Sequence, residues 1–184
     1  MSPFPHLAEP LAEDGVALRD YLERDIPEIL IAYQDDPRLH VSTGEDRPPS
    51  GAELGRRAER EKAARAAGEG ATLTILESGS DTCRGQIRVD DVDWDHGRAG
   101  LMIWLSPQVR GRGVGRRALR LTGAWLLTTC RLARVELFAE HDNAAMIGAA
   151  QAAGFAREGV LRGYARRRGR RVDVVAMSLI RSDL

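Results

Sequence analysis

The chain has 184 residues and a mass of 20.2 kDa, with 43% hydrophobic, 29% charged and 5% aromatic residues. That is the balance of one ordinary globular domain, and it excludes a collagen, a pure coiled coil and an extensively disordered chain. The net charge of zero conceals a division. Residues 1–100 carry 12 basic against 21 acidic side chains, a net of −9, and residues 101–184 carry 15 against 6, a net of +9. The second half is therefore suited to hold an anion and the first to attract a cation.

The longest apolar runs, such as Leu101 to Leu105 and Ala124 to Leu127, fall far short of the roughly 20 residues of a membrane-spanning helix. The opening Met-Ser-Pro-Phe-Pro-His lacks the basic flank and apolar stretch of a secretion signal. Cys83 and Cys130 are the only cysteines and form no Cys-x-x-Cys pair, which argues against a disulfide scaffold or a structural zinc site. The expectation is a cytoplasmic protein with no membrane segment and no metal, in which both thiols are core residues.

Residues 1–14 read as an N-terminal extension to one domain of residues 15–184. Val16 to Tyr21 is a strand candidate, and Asp25-Ile-Pro-Glu28 offers an N-cap with a glutamate three residues on, opening a helix to about Tyr33. Residues 36–50, with three prolines and Gly44, read as a loop. Ser50-Gly-Ala-Glu53 then supplies a second capping box, for a helix to about Ala67. Ala71 to Glu77, Arg84 to Asp90 and Arg98 to Leu105 follow as an antiparallel meander. From Val114 the period changes. Apolar residues at 114, 118, 119, 121, 125 and 126 form one helical stripe, with Arg116, Arg117 and Arg120 on another face. Val135 to Ala139 is a strand, Ala144 to Ala153 a helix ended by Gly154, and Arg157 to Leu179 two strands around a turn near Arg168-Gly169. This order, without internal repeat or linker, predicts a single α/β (α+β) domain with a mostly antiparallel mixed sheet flanked by helices.

The chemistry concentrates in Ser106-Pro-Gln-Val-Arg-Gly-Arg-Gly-Val-Gly115, between an apolar strand and an amphipathic helix. Glycines let backbone N–H groups approach an anion, the first amides of the helix point at it, and the helix dipole favours its charge. Arg110 and Arg112 would add charge-assisted bonds to phosphates. A Walker loop is excluded because no Gly-Lys-Ser/Thr follows. The Rossmann fingerprint also fails, since Arg116 stands where its third glycine belongs and the strand around Glu136 continues beyond that residue. A plain glycine-rich helix cap remains as the bland alternative. Asp91-Val-Asp93-Trp-Asp95 imitates a calcium loop, but glycine arrives at Gly97 and the twelfth position is Met102, so it reads as a solvated hairpin turn. Arg162 to Arg171, with six arginines and Tyr164, coincides with a hairpin and has little of the aromatic interleaving of a nucleic-acid patch.

Arg110-x-x-Gly113-x-Gly115, after a strand ending Trp104-Leu105-Ser106-Pro107 and before a helix, resembles the pyrophosphate-binding motif of the GNAT superfamily of acyl-CoA N-acyltransferases. Asp142-Asn143, the helix to Ala153, Gly154-Phe155-Ala-Arg-Glu158-Gly159 and Arg162 resemble the Asn-initiated helix and "GF-x-x-EG" close of its ribosomal-protein N-acetyltransferase (RimJ/RimL-like) branch. Gly169 with Asp173 fits that branch's final hairpin, and Gln86 to Leu105 is similar to its central meander. The likeness covers residues 15–181 and is strongest over 98–162.

The resemblance implies that strand Leu101 to Leu105 splays from strand Val135 to Ala139, and that the pantetheine arm of acetyl-CoA lies in the gap beside Ile103, Trp104 and Leu105. A backbone N–H near Leu105 would then be the oxyanion donor. Val109, Arg110, Gly111, Arg112, Gly113, Val114, Gly115 and Arg116 would hold the pyrophosphate. Arg116, with Arg117 and Arg120, has a solvated face as its other reading. Asn143 would bond the pantetheine amides, although it also suits a simple helix N-cap. Met146, in the cofactor-binding set, stands where the branch often has a serine, and Ala150 where many members have a tyrosine. The proton donor to the leaving thiolate is thus unassigned, a role for water or for the thiol's own modest basicity. The candidate bases are Glu136 first, then Glu140 and His141.

The function so implied is an acetyl-CoA-dependent N-acetyltransferase acting on a protein N-terminal α-amine or a small cationic amine. Gly44-Glu-Asp46 and Asp90 to Asp95 would attract that acceptor. Homodimerisation and ribosome association are further expectations. A non-catalytic CoA-binding or RNA/ribosome-associated module is the alternative, motivated by the missing hydroxyls and the arginine run.

Overall fold

Residues 2–167 and 169–184 are described by the computed structural model; Arg168, half of the expected last turn, lies outside them. The strands are β1 (Leu11–Glu13), β2 (Val16–Asp20), β3 (Ala71–Glu77), β4 (Gly85–Asp93), β5 (Arg98–Leu105), β6 (Arg134–Glu140), β7 (Ala156–Arg167) and β8 (Arg170–Ile180). The helices are α1 (Ile26–Asp35), α2 (Leu39–Ser42), α3 (Gly51–Ala66), α4 (Val114–Thr128) and α5 (Ala144–Ala152). The strands form one eight-stranded sheet in the order β1-β2-β3-β4-β5-β6-β8-β7. Every neighbouring pair is antiparallel except β5 and β6. No helix among the described residues is long and apolar enough to cross a membrane.

Two apolar clusters cover the two faces. The larger holds Leu73, Ile75, Ile87, Leu101, Val135, Leu137, Met177 and Leu179 from the sheet, with Val114, Ala118, Leu119, Leu126 and Leu127 from the α4 stripe. Leu119 and Leu126 are fully buried, so truncating either to Ala costs about 2–5 kcal/mol. The smaller cluster gathers Ile29, Ala32 and Tyr33 of α1, Leu39 of α2, Leu54 of α3 and Cys83, with Trp104 packed against it. Alternation along β5 sends Ile103 and Leu105 to the first cluster and Trp104 to the second. Both cysteines are buried free thiols, and burial pushes each up to about 12, which leaves them unreactive near neutrality.

Four expectations are corrected. The residues before 15 join the domain: Phe4 is fully buried between Trp94 and Trp125, and β1 pairs with β2 at the sheet edge. The stretch 36–50 contains the short helix α2, because Leu39 can be buried against α1 only if the chain turns there. The first expected capping box is absent. Asp25 makes no side-chain cap; its buried carboxylate accepts from Arg19 at 2.6 and 2.9 Å, from the Thr74 hydroxyl at 2.7 Å and from the Leu22 N–H at 3.1 Å. Burial alone would raise this carboxyl, but those donors outweigh it and hold it below its ordinary range. Lastly, Arg134 opens β6 one residue earlier than expected, and that residue locks a candidate base as described below. The second capping box forms as expected, with the Ser50 hydroxyl accepting from the Glu53 N–H at 3.3 Å and Glu53 accepting from the Ser50 N–H at 2.8 Å.

Candidate active site

The parallel pair β5–β6 is in register only from Arg98↔Arg134 to Leu101↔Leu137. Beyond Leu101 the strands part, and β5 from Met102 to Leu105 keeps its partner β4 on one side only. The Ser106 N–H donates to the Arg84 carbonyl on the β4 side at 2.8 Å. Strand alternation therefore turns the backbone N–H and C=O of Leu105, and of Ile103 two residues earlier, toward the open edge.

On the α4 side of the gap lies a cavity of about 540 Å³ lined by Ile103, Trp104 and Leu105, by Val109 to Gly111 and Gly113 to Arg116 of the loop and α4, and by Asn143 and Met146 of α5. The sequence motif builds its floor. Gly113, the residue before α4, has φ +75°, the left-handed region that glycine occupies without strain. A Cβ on Gly115 would lie 3.4 Å from Leu105 Cδ1, so the helix start packs directly against the end of β5. Asn143 caps α5, its Oδ1 accepting from the Met146 N–H at 3.1 Å, and its amide NH₂ supplies further donors.

On the other side lies a second cavity, of about 530 Å³, whose walls include Met102, Phe138, Tyr164, Glu140, Asp90 and Asp91. Ser42, Ile103, Asn143 and Met146 line both cavities, so the gap between β5 and β6 joins them. Phe138 and Tyr164 are exposed and stacked with ring centroids 5.7 Å apart. The second wall thus offers an aromatic face beside carboxylates.

The arginines of the loop are occupied differently from the expectation. Arg110 donates from Nε and Nη2 to the Leu105 carbonyl at 2.9 and 2.8 Å, and from Nη1 to Asp36 at 2.6 Å. Arg112 pairs with Glu77 at 3.1 Å and does not line the cavity. Arg116 lines it, and makes no ion pair among the described residues. Arg117 bonds the Arg112 carbonyl at 3.1 Å, and Arg120 pairs with Glu13.

Among the candidate bases, Glu136 sits in the paired part of β6, opposite Gly100, and outside the walls of both cavities. Its carboxylate accepts from Arg134 Nε at 2.7 Å, while Arg134 also forks onto Glu158, which in turn accepts from the Ser178 hydroxyl at 2.8 Å. Glu140, two pairs further along the same face, lines the second cavity and accepts from Arg167 at 2.6 Å. His141 is exposed and lines neither cavity. Of the acidic segments expected to attract an acceptor, Asp90 and Asp91 reach the second cavity. Glu45 is held by Arg57 at 2.5 Å and by the Tyr33 hydroxyl at 3.1 Å, and Asp93 by His96 and Arg98.

Arg38, Met102, Phe138, Tyr164 and Arg167 are cavity residues that sequence reasoning missed. Period-two alternation could have found Met102 and Phe138, which share a sheet face with Trp104 and Glu136; Tyr164 and Arg167 lie in the arginine run read there as a hairpin, and nothing local marks Arg38.

The Arg134–Glu158 pair carries a pH signature. Arg134 and the Ser178 hydroxyl hold Glu158 down to about 2, so the unfolded chain binds the extra proton as pH falls and the native contribution is lost between about 4.5 and about 2. In urea titrations, wild type should exceed Glu158→Gln by a constant margin above pH 5, with the margin closing below about 4.5.

Comparison with known proteins places the chain in a family. Residues 16–156 match the model of the acetyltransferase (GNAT) domain, and the chain belongs to that family. It is 27% identical over 116 residues to an uncharacterized N-acetyltransferase p20 of Bacillus licheniformis; the match covers 63% of this chain and 65% of that relative, just under two thirds of its length. The fold is similar to that of Mycobacterium smegmatis RimJ in complex with CoA-disulfide, with a TM-score of 0.87, 21% identity and coverage of 100% of this chain and 92% of that one. It is also similar to spermidine N-acetyltransferase from Vibrio cholerae in complex with CoA and spermine, with a TM-score of 0.79, 19% identity and coverage of 93% and 98%.

Proposed function

We propose that this chain transfers the acetyl group of acetyl-CoA to a primary amine, either a protein N-terminal α-amine or a small cationic amine. The observation that carries the reading is the parting of β5 and β6 beyond Leu101, which joins a glycine-floored cavity to an acid- and aromatic-walled one. The first cavity suits the co-substrate. The amides of Gly111 to Gly115 at the start of α4 suit a pyrophosphate, with Arg116 as the nearby free cation. The open edge of β5 suits the pantetheine amides, and Asn143, which caps α5 through Oδ1, retains its NH₂ for them.

In this reading the amine enters from the side of Phe138 and Tyr164. Its nitrogen attacks the thioester carbonyl, the C–N bond forms, and the negative charge on oxygen is met by the Leu105 N–H. The C–S bond then breaks and the electron pair leaves on sulfur. The proton shed by the amine goes to Glu140, directly or through a water, because Glu140 is the candidate carboxylate that lines the acceptor cavity. No hydroxyl stands at Met146 or Ala150, so the thiolate takes its proton from water. Holding both substrates in one cleft supplies much of the rate. An α-amine loses its proton at a pH about 2.5 units below a lysine, which favours the N-terminal acceptor near neutrality. The branch likeness adds a homodimer, a cytoplasmic location and ribosome contact to the proposal.

A thiol-release assay with acetyl-CoA and a panel of short peptides and polyamines tests it. Release should depend on a particular acceptor and rise with pH as that amine deprotonates. Release no faster than acceptor-free hydrolysis across the panel, with CoA still bound, would make the chain a binding module without turnover.

A further inference from the structure

The end of β5 and the start of α2 are tied by one chain of hydrogen bonds. The Leu105 carbonyl takes both Nε and Nη2 of Arg110, at 2.9 and 2.8 Å. Arg110 Nη1 reaches Asp36 Oδ2 at 2.6 Å. The other carboxylate oxygen of Asp36 accepts the Arg38 N–H at 2.9 Å, and the Asp36 carbonyl accepts the Leu39 N–H at 2.9 Å. A parallel tie joins Gln108 Nε2 to Asp35. Each of the three nitrogens of Arg110 thus donates to a protein oxygen, and a guanidinium is suited to such a fork because its donors are fixed in one plane. Burial alone would raise the Asp36 carboxyl, but Arg110 and the Arg38 N–H outweigh it and hold it below its ordinary range.

What this chain holds is a wall of the active site. Leu39 and Ser42 line the co-substrate cavity, and Arg38, Val41 and Ser42 line the acceptor cavity. α2 has only four residues, too few to keep a position by its own hydrogen bonds. It depends on Leu39 packing against α1 and on Asp36 at its entry.

We infer that Arg110 is a positioning residue: through Asp36 it fixes α2 over the junction of the two cavities, so that the co-substrate loop sets the shape of the acceptor site. Phosphate binding is left to the backbone of Gly111 to Gly115 and to Arg116. This inference rests on the assignment of the two cavities proposed above.

Asp36→Asn, Arg110→Lys and the double variant test it. Asn removes the charge that Arg110 pairs with, and Lys keeps the charge but has a single nitrogen in place of the planar fork that reaches the Leu105 carbonyl and Asp36 from separate nitrogens. Backbone hydrogen exchange over residues 37–45 should quicken by about tenfold or more in each single variant, with the double variant no faster than the singles, as expected for residues acting as one unit. The acceptor KM should rise by about tenfold while CoA affinity stays within about threefold of wild type. Unchanged exchange in both single variants would overturn the inference. So would a loss of CoA affinity in Arg110→Lys as large as that caused by a charge at Gly113, which would make Arg110 a phosphate ligand. If wild type acetylates no acceptor, the exchange measurement still decides the role of Arg110, and it is the acetyl-transfer reading that fails.

Discussion

Glu140→Gln should lower kcat by about 10²-fold or more, within the usual 10²- to 10⁴-fold contribution of a general base, while CoA affinity is unchanged. The substitution keeps the size of the side chain and an oxygen for Arg167, which lies 2.6 Å away, and removes the negative charge together with the basicity. The matching control is Glu136→Gln on the same strand face. Glu136 lies in the paired part of β6 and lines neither cavity, so its loss should leave kcat within about threefold of wild type. Because an acceptor amine must lose its proton, the wild-type rate should climb with pH, and Glu140→Gln should depress the whole profile. Equal kcat values and pH profiles for wild type and Glu140→Gln would remove Glu140 from the reaction, and a defect confined to Glu136→Gln would return the role to that residue.

Gly113→Asp should weaken CoA binding by at least about tenfold, equivalent to 1.4 kcal/mol, because it puts an anion where a pyrophosphate would sit against the first amides of α4. Gly113 has φ +75°, and an added Cβ would lie 2.8 Å from Arg117 Nη1, the end of a long side chain that can move. Asn and Asp both tolerate the left-handed region better than other residues, so Gly113→Asn isolates the charge from the strain. Calorimetry should rank wild type, then Asn, then Asp. Folded Gly113→Asp with wild-type affinity would show that CoA binds elsewhere.

Much of this site was readable before the fold because its signals are local. The stripe from Val114 onward, the glycines at 111, 113 and 115, and Ser50 with Glu53 each encode structure within a few residues. The rest depends on partners distant in sequence. Asp25-Ile-Pro-Glu28 carries the same capping pattern as Ser50 to Glu53, yet Arg19 and Thr74 claim the Asp25 carboxylate, and a buried charge with good donors outweighs a cap. Arg110 reads as a phosphate ligand from its motif, but Asp36 reaches it from 74 residues away. Leu39–Ser42 looks like loop because a single turn has no period to detect. Phe4 and β1 escaped for the same reason, since three residues of strand and one aromatic acquire meaning only from the sheet edge and from Trp94 and Trp125. Glu136 and Glu140 differ only in whether they lie before or after the point where β5 and β6 separate, and that point is set by pairing across the sheet.

Acetyl transfer from CoA to an amine within the parted strands can be read by mass spectrometry after incubation with isotopically labelled acetyl-CoA and a mixture of N-terminal peptides and polyamines. One labelled acetyl group is expected on the amine nitrogen of a particular acceptor, accumulating with the wild-type protein and strongly reduced with Glu140→Gln. Labelled acetyl-CoA recovered intact, or lost only as free acetate, with every acceptor unmodified while the protein binds CoA, would contradict it.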